Sequence, residues 1–547
     1  MGININSGLY KMCGILFALN TNNKETFVER LKTLSPRGPD EMTTLSTDAF
    51  MAGHTRNCIV NPLNGKQPIQ DDTWVILHNG EIYNGFNINK NKFQENIYSG
   101  DKSDSYKILD LYNKVNPIEV PKRLDGIFGY CAYNKKNKAL YLARDPIGVI
   151  PLYMVQKDKE IWIASELKAI LNIGEPTIVK PGHIYSFVGD DKTITRYTIP
   201  YPTKPPTQAY IKRSLFNILD ESVSKRVYSD VPWGVLLSGG LDSTVVCSLA
   251  VENEKLSKGY PSVHTFSIGL KGSEDLKRAS EVAAFWNTCH HSVEFELEEG
   301  FQALHDVIYA IETYDVTTIR ASVPMYLLGK QMKKCGIKMV LSGEGSDELL
   351  AGYLYNHKCP NAEEVHKESV LKMNRLHYHD CLRANKSLAC HGIECRVPFL
   401  DKKFVHHTMF KMSATAKLSQ THPDGPQMEK WTLRNDFMFM LKDLPQIISR
   451  QKEQFSDGVG NQWINYLKSM SEKKYTDAYF KTKQEQYTFQ PPQTKEALLY
   501  REIFNKFFIN CEKTVFYTDE TVACSSEIAM KWHDGFKKDP SAESLKK

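Results

Sequence analysis

The segment LLSGGLDST, Leu236–Thr244, decides how the second half of the chain is read. An apolar run ends at Leu237, Gly239 and Gly240 permit a tight turn, and helical residues resume near Asp242. Strand, glycine turn and helix in that order gather backbone amides and the Ser238, Ser243 and Thr244 hydroxyls at a helix amino terminus, which makes an anion cradle. It is not a GxxxxGK[ST] phosphate loop, because the Gly-Lys pairs at 65–66 and 329–330 are each followed by Gln. A cradle lacking that lysine suits pyrophosphate held as a leaving group while an α-phosphate is attacked.

The neighbouring runs GVLLSGG, HTFSIGL and IKMVLSGEG repeat the pattern of apolar strand and glycine turn. They predict a parallel α/β sheet with ligands at the carboxyl ends of its strands. In AYIKRSLFNILDESVSKRV, residues Ile211, Leu215, Ile218, Leu219 and Val223 fall on one helical face. VLSGEGSDELLAGY (340–353) crowds Glu344, Asp347 and Glu348 into a loop that also needs glycine. Asp242 and Asp347 are the pair expected to hold Mg²⁺ on phosphate oxygens, although a solvated acidic turn has the same composition. In YDVTTIRASVP (314–324), Arg320 follows Thr317 and Thr318 and could fork onto a substrate carboxylate; a surface arginine reads the same way. Lys452, in RQKEQFSDGVG, stands beside a glycine turn and could neutralise pyrophosphate.

Upstream, TIPYPTKPPTQAY (198–210) carries four prolines and reads as a linker. Before it, GILFAL, WVILHNGEIYNG, IFGYCAYN, ALYLARD, IPLYMV and EIWIASE are short apolar or alternating runs broken by turns, the texture of an antiparallel α+β domain. Cys13 directly precedes the first run, either as a buried thiol or as a nucleophile. A nucleophile needs a base, and SPRGPD (35–40), NGEIYN (79–84) and ARDPIGVIPLY (143–153) contain no histidine. His54 and His78 lie near these motifs but read as structural. A free α-amino group on Cys13, with a pKa of about 8, would serve as the base. The Asn79 side chain and the Gly80 N–H are candidate oxyanion donors, Arg56 a partner for a substrate carboxylate and Asp104 for an ammonium.

At 547 residues, 41% hydrophobic and 24% charged, the chain predicts more than one domain. Its net charge of +5 is dispersed, which does not indicate nucleic-acid binding. Twelve cysteines without a Cys-x-x-Cys pair argue against a zinc ribbon, a redox motif or a disulfide scaffold, and for a reducing, cytoplasmic compartment. No apolar stretch is long enough to span a membrane, MGININSGLYK lacks a signal-peptide core, and Asn6 breaks the myristoylation pattern.

Met-Cys-Gly-Ile, RGPD, NGEIYN, RDPIGVIPLY and SELKA, followed by SGGLDST, YDVTTIRAS, GIKMVLSGEGSDE, CRVPFLD and RQKEQFSDGVG, run in order from Cys13 to about Ser526. Together they resemble the glutamine-hydrolysing asparagine synthetases. The resemblance implies a two-domain fold: an α+β N-terminal-nucleophile amidotransferase sandwich of antiparallel sheets over 13–200, and an α/β ATP-pyrophosphatase domain with a parallel sheet over 201–515. Residues 1–12 would be a leader absent from the active chain, and 516–547 a tail. Glutamine would be hydrolysed at Cys13, and ammonia would pass through an internal tunnel to a β-aspartyl-AMP intermediate, releasing AMP, pyrophosphate and glutamate.

By motif position, glutamine contacts fall on Arg56, Asn57, Cys58, Ile59, Val60, Asn79, Gly80, Glu81 and Asp104. ATP contacts fall on Leu236, Ile268, Ser342 and Gly343, beside Ser238, Gly239, Gly240, Asp242, Ser243 and Lys452. Glu344 matches the acid needed for intermediate formation, and Thr317, Thr318 and Arg320 would take aspartate with Mg²⁺ at Asp242 and Asp347. Two departures stand out: twelve residues precede Cys13, and Tyr106 replaces an acid that often follows the Ser-Asp pair at 103–104. A homodimer stays open. So do an ammonia-only enzyme with a silent glutaminase site, a synthetase acting on another acid, such as a β-lactam-forming one, and a storage or scaffolding relative.

Overall fold

The structure is a computed structural model that describes residues 13–533 apart from 22, 39, 60–64, 90–91, 97–101, 259–262, 422–426, 453–457, 461 and 517–525. Its strands are β1 Gly14–Leu19, β2 Glu41–Ser46, β3 Phe50–Arg56, β4 Ile69–Gln70, β5 Trp74–Ile82, β6 Phe86–Asn89, β7 Lys92–Asn96, β8 Gly126–Asn134, β9 Leu140–Arg144 and β10 Tyr153–Lys157. They continue as β11 Glu160–Ala164, β12 Thr177–Ile178, β13 His183–Val188, β14 Asp191–Arg196, β15 Trp233–Leu236, β16 His264–Gly269, β17 Cys289–Glu294, β18 Met339–Leu341, β19 Glu394–Arg396, β20 Gln420–Thr421 and β21 Gln427–Met428.

Two six-stranded antiparallel sheets, ordered β12-β10-β11-β1-β3-β2 and β14-β13-β9-β8-β5-β4, make the first domain. Strand alternation turns Ile15 and Phe17 of β1 between the sheets, where they join Val75, Leu77 and Tyr133, and Phe17 stacks on Phe50 at 5.6 Å. Leu16 and Ala18 point the other way, into a core that runs on into the second domain. Both faces of β1 are therefore buried, which is why GILFAL is nearly continuous in apolar residues. Cys13 sits at the head of this interior strand.

The second domain holds the parallel sheet β17-β16-β15-β18-β19. Successive strands step outward from β15 on one side and then resume at β18 on the other. The reversal opens a crevice at the carboxyl ends of β15 and β18, where such sheets bind ligands. Both Ser-Gly turns lie there, because Val235 and Leu341 are register partners.

Two expectations need correction. The helix after the linker spans Ser214–Arg226 and buries Leu215, Leu219 and Val223, whereas Ile211 is exposed and outside it. Arg213, with φ of +66°, breaks the helical path at that point. The segment after 515 is also not simply a tail: Glu527 forks onto Arg375 at 2.6 and 2.8 Å, Ala529 is fully buried, and Phe516 and Ser526 line the central cavity.

Candidate active sites

At the first site Cys13 is half-buried, its Sγ 3.4 Å from the Asn57 N–H and 3.7 Å from the Asn57 carbonyl. Burial pushes the thiol up to about 12, against the opposing pull of the Asn57 amide. Its carbonyl accepts from Arg37 Nε at 3.0 Å. A single hydroxyl, Ser165 Oγ, accepts from the Ile15 N–H at 3.0 Å and from Asn79 Nδ2 at 3.3 Å, tying the Asn79 amide to the strand that Cys13 begins. Gly80 has φ of +127°, and a Cβ there would lie 2.0 Å from the Ile127 carbonyl oxygen, so no other residue fits.

Asp104 accepts from the Ile82 N–H at 2.9 Å, and burial raises its carboxyl to about 6. Glu81 is raised well above the usual carboxylate range by burial and then by Asp104, and one of its oxygens is taken by Arg396 at 2.8 Å. Arg56 is buried, with Nη1 3.7 Å from Glu41. Neither polar atom of the buried Asn57 side chain has a hydrogen-bond partner among the described residues, as a ligand-facing amide would not. Cys58 donates its N–H to Asp40 at 2.8 Å, and Ile59 is buried; Val60 lies outside the described residues. His54 and His78 are buried, held near 3 by burial, and neither bonds Cys13, in keeping with a structural role.

The second site is a cavity of about 250 Å³ at the carboxyl ends of β15 and β18. Leu236, Ser238, Gly240, Asp242, Ser243, Ile268, Thr317, Thr318, Ser342, Gly343, Glu344, Asp347, Glu348 and Lys452 all line it. Gly239 makes the turn at φ of +70°, where a Cβ would meet the Arg278 backbone at 2.5 Å. Ser238 and Ser243 bond each other through their hydroxyls at 3.2 Å, beside the open end of the helix Leu241–Lys258. Thr244 is the exception: it is fully buried, away from the cavity.

The acids are held by lysines. Lys430 Nζ lies 2.5 Å from Asp242 and 2.6 Å from Asp347, and Lys452 lies 2.7 Å from Asp347. Burial alone would raise Asp347, but Lys430 and Lys452 outweigh it and hold the carboxyl near 2. Two facing carboxylates are a hard-oxygen donor set, which fits a divalent cation once phosphate oxygens share it. Glu344 is raised to about 7 by burial, against the ion pair with Arg383 at 2.8 Å. Glu348 is raised to about 8 by burial and then by Asp380 and Asp347.

Arg320 does not enter the cavity. Its fork is engaged by Glu496, Nε to Oε1 at 2.8 Å and Nη2 to Oε2 at 2.6 Å, and the pair is buried. The expectation that it binds a substrate carboxylate is corrected, since the helix Val316–Lys334 points it at the helix Lys495–Phe507. Thr317 and Thr318 instead donate to Asp315, which caps that helix, at 3.3 and 2.6 Å. Lys430, Arg383 and Asp380 carried no motif in the sequence. The one trace of Lys430 is Gly352, where a Cβ would sit 1.9 Å from its Cε.

A cysteine-headed antiparallel sandwich is joined here to a parallel sheet whose two Ser-Gly strand ends open on one cavity, the two-domain architecture of an amidotransferase. Residues 12–191 match the glutamine amidotransferase domain, and 215–363 with 357–534 match asparagine synthase. Glutamine-hydrolyzing asparagine synthetase 3 of Arabidopsis thaliana is 40% identical over 97% of this chain and 94% of its own. Asparagine synthetase B of Escherichia coli (strain K12), also glutamine-hydrolyzing, is 39% identical over 98% of this chain and 99% of its own. The glutamine phosphoribosylpyrophosphate amidotransferase of B. subtilis is 14% identical with a TM-score of 0.30 over 69% of this chain and 96% of its own, too slight a likeness to argue from. The chain belongs to the glutamine-hydrolyzing asparagine synthetase family.

Proposed function

We propose that this chain converts L-aspartate to L-asparagine with ATP, using nitrogen from glutamine and releasing AMP, pyrophosphate and glutamate. What carries the reading is the meeting of both Ser-Gly strand ends with Asp242, Glu344, Asp347 and Glu348 at one cavity, in a chain whose other domain carries Cys13. At Cys13 the sulfur attacks the glutamine carboxamide carbon, Asn79 and Gly80 donate to the oxyanion, ammonia departs, and water releases glutamate. Arg56 and Asp104 suit the glutamine carboxylate and ammonium. A thiol held up by burial needs a base at hand, and a free α-amine on Cys13 supplies one; the active chain therefore starts at Cys13.

In the cavity the Ser238–Ser243 and Ser342–Gly343 turns cradle phosphate, and an aspartate carboxylate attacks the α-phosphate. Thr317, Thr318 and Arg383, all lining the cavity, would orient that aspartate, and Glu344 would assist formation of β-aspartyl-AMP. Asp242 and Asp347 would hold Mg²⁺, which when bound spreads the negative charge of pyrophosphate. Lys430 bridges the two carboxylates, and Lys452 pairs with Asp347 and keeps it ionised. Eleven described free cysteines suit a reducing cytoplasm, and among the described residues no helix is long and apolar enough to cross a membrane.

The test is Cys13→Ala. Glutamine-dependent asparagine formation is expected to vanish while ammonia-dependent formation persists, because the two chemistries occupy different domains. Loss of both in a folded variant would refute the division of labour. Intact mass of glutamine-active protein is expected to give a chain beginning at Cys13.

A further inference from the structure

The parallel pair β16 and β17 brings together a side-chain cluster that neither active site uses. Cys289 and His291 are two residues apart on β17 and so share a face, and His264 is the register partner of Cys289 on β16. His264 Nδ1 lies 3.0 Å from His291 Nε2, which lies 3.7 Å from Cys289 Sγ, and the three atoms are all within 4.8 Å of one another. Tetrahedral zinc spaces its ligands by about 3.3 Å between two nitrogens and about 3.6 Å between nitrogen and sulfur. The three side chains thus stand almost at metal-ligand spacing.

The ring of His291 is fixed before any ion arrives. It stacks on Phe266 at 4.6 Å and 8° and on His264 at 5.3 Å and 18°. Its other nitrogen, Nδ1, faces Cys335 Sγ at 3.9 Å. An N–H directed at that sulfur leaves Nε2 as the free lone pair, the arrangement in which an outer partner selects the ligating tautomer. Cys289 is exposed, so an ion has access from solvent. The cluster opens at the amino ends of the strands, the opposite end of the sheet from the ATP cradle.

We propose that His264 Nδ1, Cys289 Sγ and His291 Nε2 form a transition-metal site, taking zinc in a three-ligand set with a fourth position open. Two imidazoles and one thiolate select zinc-like cations over Mg²⁺, which demands oxygen ligands. Binding replaces the proton shared between His264 and His291 and releases the Cys289 thiol proton. Because β17 is an edge strand held to the sheet only through β16, a bound ion clamps it in place.

Cobalt(II) titrated into the chelator-treated full chain tests this. A thiolate-to-cobalt absorption is expected at one equivalent, displaced by Zn²⁺, abolished by Cys289→Ser and unchanged in Cys13→Ala. Cys335→Ser, which touches only the outer partner, is expected to weaken Zn²⁺ binding about 10-fold, and His264→Gln, which removes a ligand, by clearly more. Zn²⁺ is also expected to raise the melting temperature of the unaltered chain but not that of Cys289→Ser. A cobalt spectrum without a thiolate band, or one that survives Cys289→Ser, would overturn the assignment.

Discussion

Cys13 shows how far one residue's chemistry depends on what is joined to its nitrogen. With its thiol pushed up to about 12, the sign is clear: burial favours the protonated form, so little thiolate forms near neutral pH. In a chain where Cys13 is joined to preceding residues, iodoacetamide alkylation of Cys13, followed by peptide mass spectrometry, is expected to climb with pH past 9 without levelling. A chain that starts at Cys13 is expected to react faster at pH 8, since its amine can take the proton. A plateau below pH 9 in the longer chain would contradict the burial argument. Gly80 sets a steric limit nearby: its φ of +127° and the Ile127 carbonyl leave no room for a side chain beside the proposed oxyanion donors.

At the level of elements, two contacts hold together the structure around the second-domain cavity. The turn after the helix Ser346–Leu350 needs Gly352 because Lys430 passes over it on its way to Asp242 and Asp347, and an added Cβ would lie 1.9 Å from Lys430 Cε and 2.1 Å from Asp347 Oδ1. Gly352→Ala is expected to cost about 1–3 kcal/mol. By moving Lys430 it should reduce aspartate-dependent AMP formation at least tenfold while glutaminase activity without ATP stays unchanged. The second contact is Arg320 with Glu496, which fastens the helix Val316–Lys334 to Lys495–Phe507. Arg320→Ala leaves a carboxylate buried and unpaired, a loss of about 3–5 kcal/mol readable in urea unfolding. Arg320→Lys keeps the charge without the fork and should lie between the two. A selective rise in the aspartate KM with unchanged unfolding would instead restore the substrate role.

Across the whole molecule, the domains are joined by buried charge as well as by a shared apolar core. Glu312 accepts from the Leu167 and Lys168 amides at 2.8 and 2.9 Å and pairs with Lys168 and Lys386; Lys386 also donates to Tyr153 at 2.8 Å. Glu166 pairs with Arg37 and Lys168, both at 2.7 Å, and Arg37 reaches Asn385 at 3.2 Å. Arg396, from the parallel sheet, contacts Glu81 beside the proposed glutamine site. Glu312→Ala strands the buried Lys386 ammonium and two amides in the seam, while Lys168 keeps Glu166, so stability is expected to fall by about 3–5 kcal/mol. Glutamine-dependent and ammonia-dependent synthesis should decline together, in contrast to Cys13→Ala. Retention of full stability would show that the apolar core alone holds the domains.

The chain's own order of residues determined whatever depends on near neighbours. Period-two apolar runs specify the strands of the sandwich, and glycine after Ser238 and Ser342 specifies the turns, because pleat and φ are set within a few residues. The placement of Cys13 at the head of GILFAL and of Asp242 in a first helical turn was legible for the same reason. Tertiary structure alone decided which charged groups meet. Arg320 and Glu496 are 176 residues apart, and Lys430 and Asp242 are 188 apart, so no local pattern marks either pair. Arg320 could be read as a substrate fork because a bidentate guanidinium suits a side-chain carboxylate as well as a ligand's, and only the direction of its helix distinguishes them. The His264–Cys289–His291 cluster likewise arises from the register of two parallel strands, a relation set by packing of the sheet and absent from any stretch of sequence.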